Sequence, residues 1–129
     1  MIPRIIHQTW RTSDVPERYR DWQASWQRLN PGYAYRLWTN GDIERLIAED
    51  FPQWAPLFNS YAKNICRIDL ARYLILKKHG GIYADLDYEC LRPQDPLLRH
   101  RPLLFGAEPA SHARLDKAVR AGLDTIVCN

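Results

Sequence analysis

Two aspartates one residue apart are the strongest chemical feature of this 129-residue sequence. Asp85 and Asp87 follow the Gly80–Gly81 pair and a short predicted strand, Ile82–Ala84. Side chains two apart on an extended segment point to the same side, so both carboxylates can face one ligand while Leu86 points into the protein. Mg²⁺ and Mn²⁺ prefer oxygen ligands, often shared with substrate phosphates. The spacing indicates either a divalent metal site or a strand end with two solvated acids.

A second charged pair lies on the longest predicted helix, Asn64–His79. Asp69 and Arg72 are three residues apart and share a helix face. Most other positions of this helix are apolar, so we expect it to be largely buried, where a charge needs a partner. The pair is therefore either an internal ion pair or a polar contact aimed at a ligand. Arg67 is a weaker candidate of the same kind, and Gly80 suits the C-terminal cap.

Polar residues also end the first predicted strand, Ile2–Trp10, which is apolar at Ile5–Ile6. The ends of strands in open α/β sheets are where ligands bind. The sequence therefore makes this strand end a candidate for contact with a ligand. An aromatic side chain there, Trp10, is either a ligand contact or a rim aromatic of the core.

The remaining sequence predicts helices and strands in alternation, which is typical of an α/β fold with a mainly parallel sheet. One apolar stripe at helical spacing is assigned to the core: Tyr19, Trp22, Trp26 and Leu29. The predicted segments are the helices Pro16–Leu29, Ile43–Glu49 and Gln53–Tyr61, the strands Tyr33–Trp38, Pro102–Glu108 and Thr125–Asn129, the loop Leu91–Leu98 and the mixed stretch Ala110–Gly122.

Composition excludes several classes of protein. The net charge of +3, with acidic and basic residues interspersed, argues against a nucleic-acid partner. Three widely spaced cysteines, Cys66, Cys90 and Cys128, indicate free thiols and neither a disulfide framework nor a zinc site. We expect no transmembrane segment and no signal peptide, because no apolar run is long enough.

Other uses of the acidic motif fit less well. An EF-hand loop starting at Asp85 needs Gly at its sixth position and Glu at its twelfth, where Cys90 and Pro96 stand. A phosphatase with an aspartyl nucleophile needs Thr or Val where Glu89 stands. Neither a dinucleotide fingerprint nor a P-loop is present, so phosphate charge would have to be met by a metal and arginine.

Three ordered segments carry a resemblance to a known family. They read I-P-R-I-I-H-Q-T-W at Ile2–Trp10, N-P-G-Y-x-Y-R-L-W-T at Asn30–Thr39 and R-x-D-L-A-R-Y-x-x-L-x-x-x-G-G-I-Y-x-D-x-D at Arg67–Asp87. Together they resemble the D-x-D sugar transferases that include fungal initiating mannosyltransferases and bacterial capsule or lipopolysaccharide enzymes, glycosyltransferase family 32. More distantly, the long helix and the D-x-D look like the glucosylating clostridial toxins.

The resemblance implies a GT-A-like, Rossmann-type α/β fold and a retaining, metal-dependent hexosyltransferase. It implies Mn²⁺ or Mg²⁺, a UDP- or GDP-hexose donor, and a glycan, lipid-linked or protein acceptor. Three residues would be catalytic: Asp85, Asp87 and Arg72. The two aspartates would hold the metal, with Asp87 as the more direct ligand, and Arg72 would bond the sugar or the diphosphate.

The remaining implied contacts are with the donor. Asp69 would bond the sugar hydroxyls and Trp10 would stack on the base. The residues that would line the same pocket are His7, Gln8 and Thr9.

The sequence departs from the family pattern in two ways. Asn40 stands where family members commonly carry Asp, and family domains usually continue past the segment that ends at Asn129. We therefore expect residues 1–129 to form a single domain that is truncated at its C-terminus. The alternative to an active transferase is a catalytically incomplete fragment that binds a nucleotide sugar. The resemblance and the lack of a membrane segment favour a cytoplasmic location, which includes peripheral attachment to a membrane.

Overall fold

The computed structural model describes residues 1–100, 103–107 and 126–127. Strands and helices alternate through the first two thirds of the chain. The strands are β1 (Ile5–Thr9), β2 (Ala34–Trp38), β3 (Ile82–Tyr83), β4 (Gly106–Ala107) and β5 (Ile126–Val127). The helices are α1 (Glu17–Leu29), α2 (Asn40–Asp50), α3 (Ala55–Ser60), α4 (Asn64–His79) and α5 (Asp95–Leu98), with a 3₁₀ turn at Pro52–Trp54.

The central sheet is parallel and has the order β2-β1-β3. In its register Thr9 pairs with Trp38, and His7 pairs with Tyr83. Strand β1 is thus the middle strand, and its carboxyl end lies between the ends of its two neighbours. The predicted α/β class is confirmed: a parallel sheet flanked by helices agrees with a GT-A-like fold. Strands β4 and β5 form a separate antiparallel pair.

Two apolar clusters make the core. The larger joins β2 to α2, α3 and α4 and contains Trp38, Ile43, Leu46, Ile47, Phe51, Phe58, Ala71, Leu74 and Ile75. The smaller joins β1 and β3 to α1 and contains Ile6, Trp26, Ile82, Ala84 and Cys90. Because successive side chains of a strand point to opposite faces, β1 contributes to both sides of the sheet.

Helix α4 has the predicted bounds and ends as its sequence indicates. Gly80 has a positive φ of 62° and its N–H bonds the carbonyl oxygen of Leu76. Helix α2 starts three residues before its predicted beginning, because Thr39 and Asp42 form a reciprocal capping box. The helix predicted at Gln53–Tyr61 is divided into the 3₁₀ turn and α3.

Several predictions about burial and local structure are wrong. The loop predicted at Leu91–Leu98 contains α5. Trp22, which was assigned to the core, is 36% exposed, since it lies on the outer side of α1. Helix α4 is less buried than its composition suggests, with Ile65 at 60% and Tyr73 at 53% exposure. An apolar side chain on a helix does not by itself place that helix face in the core.

After residue 100 the structure describes only residues 103–107 and 126–127, so fewer predictions can be compared with it. In the described part of Pro102–Glu108, only Gly106–Ala107 is a strand. The final strand is present at Ile126–Val127, and Ala110–Gly122 lies outside the described residues. Cys66 and Cys90 are free thiols, and Cys128 is not among the described residues. Within those residues no helix has the length and apolar character needed to cross a membrane.

Candidate functional site

A cavity of about 330 Å³ opens where the carboxyl ends of β1 and β3 meet the first turns of α4. Parallel α/β sheets commonly bind ligands at this edge. The cavity is mixed in character, with aromatic and apolar side chains beside four charged residues, two arginines and two aspartates, of the kinds that bind phosphates and metals. Its lining residues are Thr9, Trp10, Arg11, Tyr19, Asn40, Asn64, Ile65, Ile68, Arg72, Asp85, Leu86 and Asp87.

The D-x-D loop forms one wall. Asp85 and Asp87 both line the cavity, and Leu86 between them is buried. The Tyr88 N–H donates to the Asp85 carbonyl oxygen and closes a turn after β3. Asp85 is half-buried, whereas Asp87 is exposed and forms no hydrogen bond or ion pair with the described residues. The two carboxylates thus share one cavity but differ in how firmly the protein holds them.

The Asp85 carboxylate has two neighbours that fix it. The Tyr83 hydroxyl donates to Oδ1 over 3.0 Å, and the Arg72 guanidinium lies 3.6 Å from the same atom. Burial raises the pKa of the Tyr83 hydroxyl, and the negative charge of Asp85 raises it further. The hydroxyl therefore keeps its proton across the physiological range and remains a donor.

Arg72 is the more buried of the two arginines that line the cavity. Its side chain is 13% exposed, and Nη2 lies 2.7 Å from Oδ1 of Asp69. Burial alone would lower the pKa of Arg72, but Tyr83, Asp85 and Asp69 together keep this pKa above its ordinary value. The Nε atom is buried without a hydrogen-bond partner among the described residues. A buried donor of this kind is unfavourable until a ligand or water accepts its hydrogen bond.

The structure places Asp69 beside the cavity rather than in its lining. Its carboxylate is half-exposed and bonded to Arg72, as an ion pair across one turn of α4. The geometry combines the two alternatives, because Asp69 and Arg72 bond each other and Arg72 also lines the cavity. Asp69 therefore affects the cavity indirectly, by holding Arg72 in place.

The end of β1 is divided between the cavity and the interior. Thr9 and Trp10 line the cavity, whereas His7 and Gln8 do not, and their side chains are 0% exposed. The structure corrects the predicted placement of these two residues, because the pleat and the flanking helices enclose them. Burial, together with the nearby His79 and Arg36, lowers the pKa of His7 to about 4, although its bond to Gly80 opposes this.

An aromatic corner forms the far wall. Trp10 is half-buried and packs edge-to-face against Tyr19 of α1, with ring centroids 5.5 Å apart. Sequence reasoning assigned Tyr19 to the core stripe and missed its place in the cavity. The periodicity of α1 could not reveal this, because it shows which residues share a face but not what that face contacts.

Asn40, noted in the sequence only as a departure from the family pattern, is another lining residue. It begins α2, and its Oδ1 atom is buried without a partner among the described residues. Arg11 and the first turn of α4, at Asn64 and Ile65, were also missed as lining residues. No local sequence signal marks them, because the folding of distant segments brings them together.

The donor atoms are compatible with one kind of metal site. Among the described residues no cluster of three or more His, Cys, Asp or Glu side chains could hold a metal by itself. Mg²⁺ and related ions are, however, often held by one or two carboxylates together with waters and substrate phosphates. Asp85 and Asp87 therefore fit a cation that arrives with a diphosphate, and they do not fit an ion held by protein ligands alone.

Comparison with known proteins identifies relatives of this chain. A family model described as "Glycosyltransferase sugar-binding region containing DXD motif" matches residues 16–104. The inositol phosphoceramide mannosyltransferase 3 of Schizosaccharomyces pombe is 48% identical over 99 residues, which cover 77% of this chain and 28% of the relative. A mannosyl phosphorylinositol ceramide synthase of Saccharomyces cerevisiae is 40% identical over 109 residues, or 84% of this chain and 28% of the relative.

A more distant relative extends the match further along the chain. The initiation-specific alpha-1,6-mannosyltransferase of Candida albicans is 30% identical over 129 residues, which cover 95% of this chain and 31% of the relative. The chain thus spans less than a third of the length of each of these three relatives. No solved structure matches the chain significantly.

Proposed function

The chain belongs to the glycosyltransferases whose sugar-binding region contains a DXD motif, and we propose that it binds a nucleoside-diphosphate hexose with Mn²⁺ or Mg²⁺ and transfers the hexose to a hydroxyl acceptor. One observation carries the proposal: Asp85, Asp87 and Arg72 line a single cavity that has an aromatic wall of Trp10 and Tyr19. A nucleotide sugar has the matching parts, namely a flat base, a diphosphate and a polar sugar.

In this proposal each side chain has a defined task. Asp85 and Asp87 hold the cation, which neutralises charge on the departing diphosphate when it is bound. Arg72 donates from its guanidinium, including the unpartnered Nε, to the diphosphate or the sugar. Trp10 stacks on the base, because a base presents a flat π face to an aromatic ring. Thr9 lines the cavity close to these groups.

The names of the relatives favour mannose as the transferred sugar, which makes GDP-mannose the first donor to test. One relative is named as an inositol phosphoceramide mannosyltransferase and another as a mannosyl phosphorylinositol ceramide synthase, so we propose a hydroxyl of a phosphoinositol lipid as the first acceptor to test. The resemblance to retaining enzymes further implies retention of the anomeric configuration. Asp85 and Asp87 are the only carboxylates among the described lining residues, so the leaving diphosphate itself would help to take the acceptor proton.

A thermal-shift panel tests donor binding. The ligands are GDP-mannose, UDP-glucose, UDP-galactose and UDP-N-acetylglucosamine, each with and without Mn²⁺, and Mn²⁺ alone is the control. A ligand present at a hundredfold excess over its dissociation constant stabilises the folded chain by about 2.7 kcal/mol. We expect one donor to raise the melting temperature only when Mn²⁺ is present. A chain that melts cooperatively but responds to none of these ligands would contradict the proposal.

A second function, donor binding without transfer, is favoured by one observation. The chain spans 28% of the length of two relatives and 31% of a third, so their acceptor contacts can lie outside the matched part. Incubation with labelled GDP-mannose, Mn²⁺ and inositol phosphoceramide separates the two functions. Mannosylated lipid supports the transferase, and metal-dependent GDP-mannose binding without product supports the binding module.

A further inference from the structure

Three consecutive side chains at the end of β1 are bonded to the segment that carries the D-x-D. These are His7, Gln8 and Thr9, all of them buried. Each reaches a different point between Gly80 and Asp85, on the neighbouring strand or at its ends. Because side chains alternate along a strand, these contacts come from both faces of the sheet. The proposed function gives no task to His7 or Gln8, so their burial needs another explanation.

The His7 contact has a fixed direction. The indole N–H of Trp38 donates to Nδ1 of His7 over 3.1 Å, and an indole can only donate. Nδ1 is therefore the acceptor, and Nε2 carries the proton. Nε2 lies 3.0 Å from the Gly80 carbonyl oxygen and donates to it. His7 thus ties the end of β2 to the turn that leads from α4 into β3.

The Gln8 contact is also directional. The backbone carbonyl oxygen of Asp85 can only accept, so the amide nitrogen of Gln8 must face it, at 3.2 Å. The amide oxygen then faces Tyr35, whose hydroxyl donates to it over 2.9 Å. The Tyr35 oxygen in turn accepts from Nε2 of Gln23 on α1, also over 2.9 Å. A chain of bonds therefore runs from α1 through β2 and β1 to the backbone of Asp85.

Thr9 is linked to the side chain of the same aspartate through the Tyr83 hydroxyl. A carboxylate only accepts, so the Tyr83 hydroxyl gives its proton to Oδ1 of Asp85. The Thr9 hydroxyl, 2.9 Å from the Tyr83 oxygen, must then be the donor in that pair. Asp85 is held at its backbone by Gln8 and at its carboxylate by Thr9 through Tyr83.

We propose that His7, Gln8 and Thr9 form a clamp of positioning residues that sets the path of the Gly80–Asp85 segment and the orientation of the Asp85 carboxylate. The metal-related part of this inference rests on the proposed function. Partners of this kind orient metal ligands, and their loss typically weakens metal affinity or activity by about 10-fold to 100-fold. Asp87 has no such support from the residues that the structure describes, so the clamp acts on one carboxylate of the pair.

Hydrogen–deuterium exchange of the metal-free chain tests the clamp itself. The Gln8→Leu variant removes the bond to the Asp85 backbone. Tyr35→Phe removes the hydroxyl that links Gln8 to Gln23 in the same series of hydrogen bonds, so it provides a second test if Gln8→Leu does not fold. We expect peptides covering residues 80–88 to exchange about tenfold faster, as the loss of one hydrogen bond predicts. Tyr33→Phe is the matched control, because its hydroxyl bonds the Asp95 carboxylate away from this segment.

Nucleotide binding tests the consequence for the metal. Calorimetric titrations with GDP and with UDP, at increasing Mn²⁺, give the Mn²⁺ concentration at which binding is half-maximal. We expect Tyr83→Phe and Gln8→Leu to raise this concentration about tenfold, and Tyr33→Phe to leave it unchanged. A Tyr83→Phe chain that keeps the wild-type Mn²⁺ requirement would overturn the positioning role.

The two measurements separate the clamp from the proposed function. Unchanged exchange of residues 80–88 in both Gln8→Leu and Tyr35→Phe overturns the clamp, whatever the nucleotide titrations give. A wild-type chain that binds neither GDP nor UDP with Mn²⁺ contradicts the proposed donor site, and the exchange data still decide whether the clamp exists.

Discussion

The end of β1 and the D-x-D loop are two polar stretches that lie side by side at the carboxyl edge of the sheet. They differ in whether their polar atoms are bonded within the protein or exposed. His7 and Gln8 are enclosed, and both ends of each side chain are bonded to the protein. Asp87 is exposed and has no partner among the described residues, while Asp85 is partly held. The polar groups of His7 and Gln8 are thus turned toward the protein, whereas Asp87 remains available to a ligand.

The comparison indicates which polar residues near a strand end contact a ligand and which support the structure. Buried polar groups must be paired, and pairing within the protein makes them supports. Exposed, unpaired carboxylates of like charge repel each other, and a cation relieves that repulsion. Sequence proximity to a binding site is therefore a poor guide to ligand contact. A better guide is whether each polar atom already has a hydrogen-bond partner within the protein.

The largest expected effect is at Gly81, which lies just before β3 and packs against Ile5 at the start of β1. Gly81 has a φ of +91°, and an added Cβ would overlap the carbonyl oxygen of Ile5 in β1. We expect Gly81→Ala to lower the free energy of unfolding by about 4 kcal/mol, from backbone strain and steric overlap. Urea denaturation measures this effect. Gly32→Ala is the control, since a Cβ there meets no atom within 4 Å, and equal losses for both variants would contradict the explanation.

The second effect concerns acid stability of the enclosed stretch. The pKa of His7 is lowered to about 4, whereas an unfolded histidine titrates near 6.5. Between these values the unfolded chain binds the extra proton, so stability falls as the pH falls. The His7 contribution to this loss is about 3 kcal/mol between pH 7 and pH 4.

Denaturation of wild type and of His7→Gln at both pH values isolates this contribution. The pH-dependent loss should be smaller in the variant by that amount, even though the variant starts less stable. The nearby His79, whose pKa is also lowered, remains in both chains and cancels in the difference. Equal acid sensitivity of the two chains would show that His7 is not buried as a neutral group.

The third prediction concerns the exposed stretch. We expect Asp87→Asn to weaken Mn²⁺-dependent binding of the donor at least about 100-fold, because loss of a direct ligand should exceed the loss of a supporting partner. Stability should change by less than about 0.5 kcal/mol, since Asp87 is a surface residue. Glu89→Gln, an exposed acid two residues further on, is the matched control for charge. Similar donor affinity in both variants would remove Asp87 from the metal site.

The smallest effect is expected at the aromatic corner. Trp10→Ala should weaken nucleotide binding about tenfold, which is within the range for loss of stacking on one base. Calorimetry with the nucleoside diphosphate of the preferred donor measures this change. Trp54→Ala removes a partly exposed tryptophan that does not line the cavity, so it should bind the nucleotide as wild type does.

The sequence alone predicted much of the fold. Alternating strands and helices indicated the α/β class, and the bounds of α4 were correct because its apolar run ends at an unambiguous glycine cap. Strand β2 was predicted within one residue. Three ordered motifs identified the family that the family model also matches. Asp85 and Asp87 line one cavity and Leu86 is buried, but these residues lie in a turn after β3 and not on the extended segment that the sequence predicted, and Leu86 lines the same cavity.

The roles of the residues around the site depend on the packing of the folded chain and do not follow from the sequence pattern. The sequence treated His7 to Trp10 as one ligand-facing group, but the sheet order places β1 between two strands and encloses its first polar residues. It assigned Trp22 and Tyr19 to the core, whereas one is partly exposed and the other lines the cavity. Local patterns fix which side chains share a face. The packing of distant segments determines whether that face meets protein, solvent or a ligand.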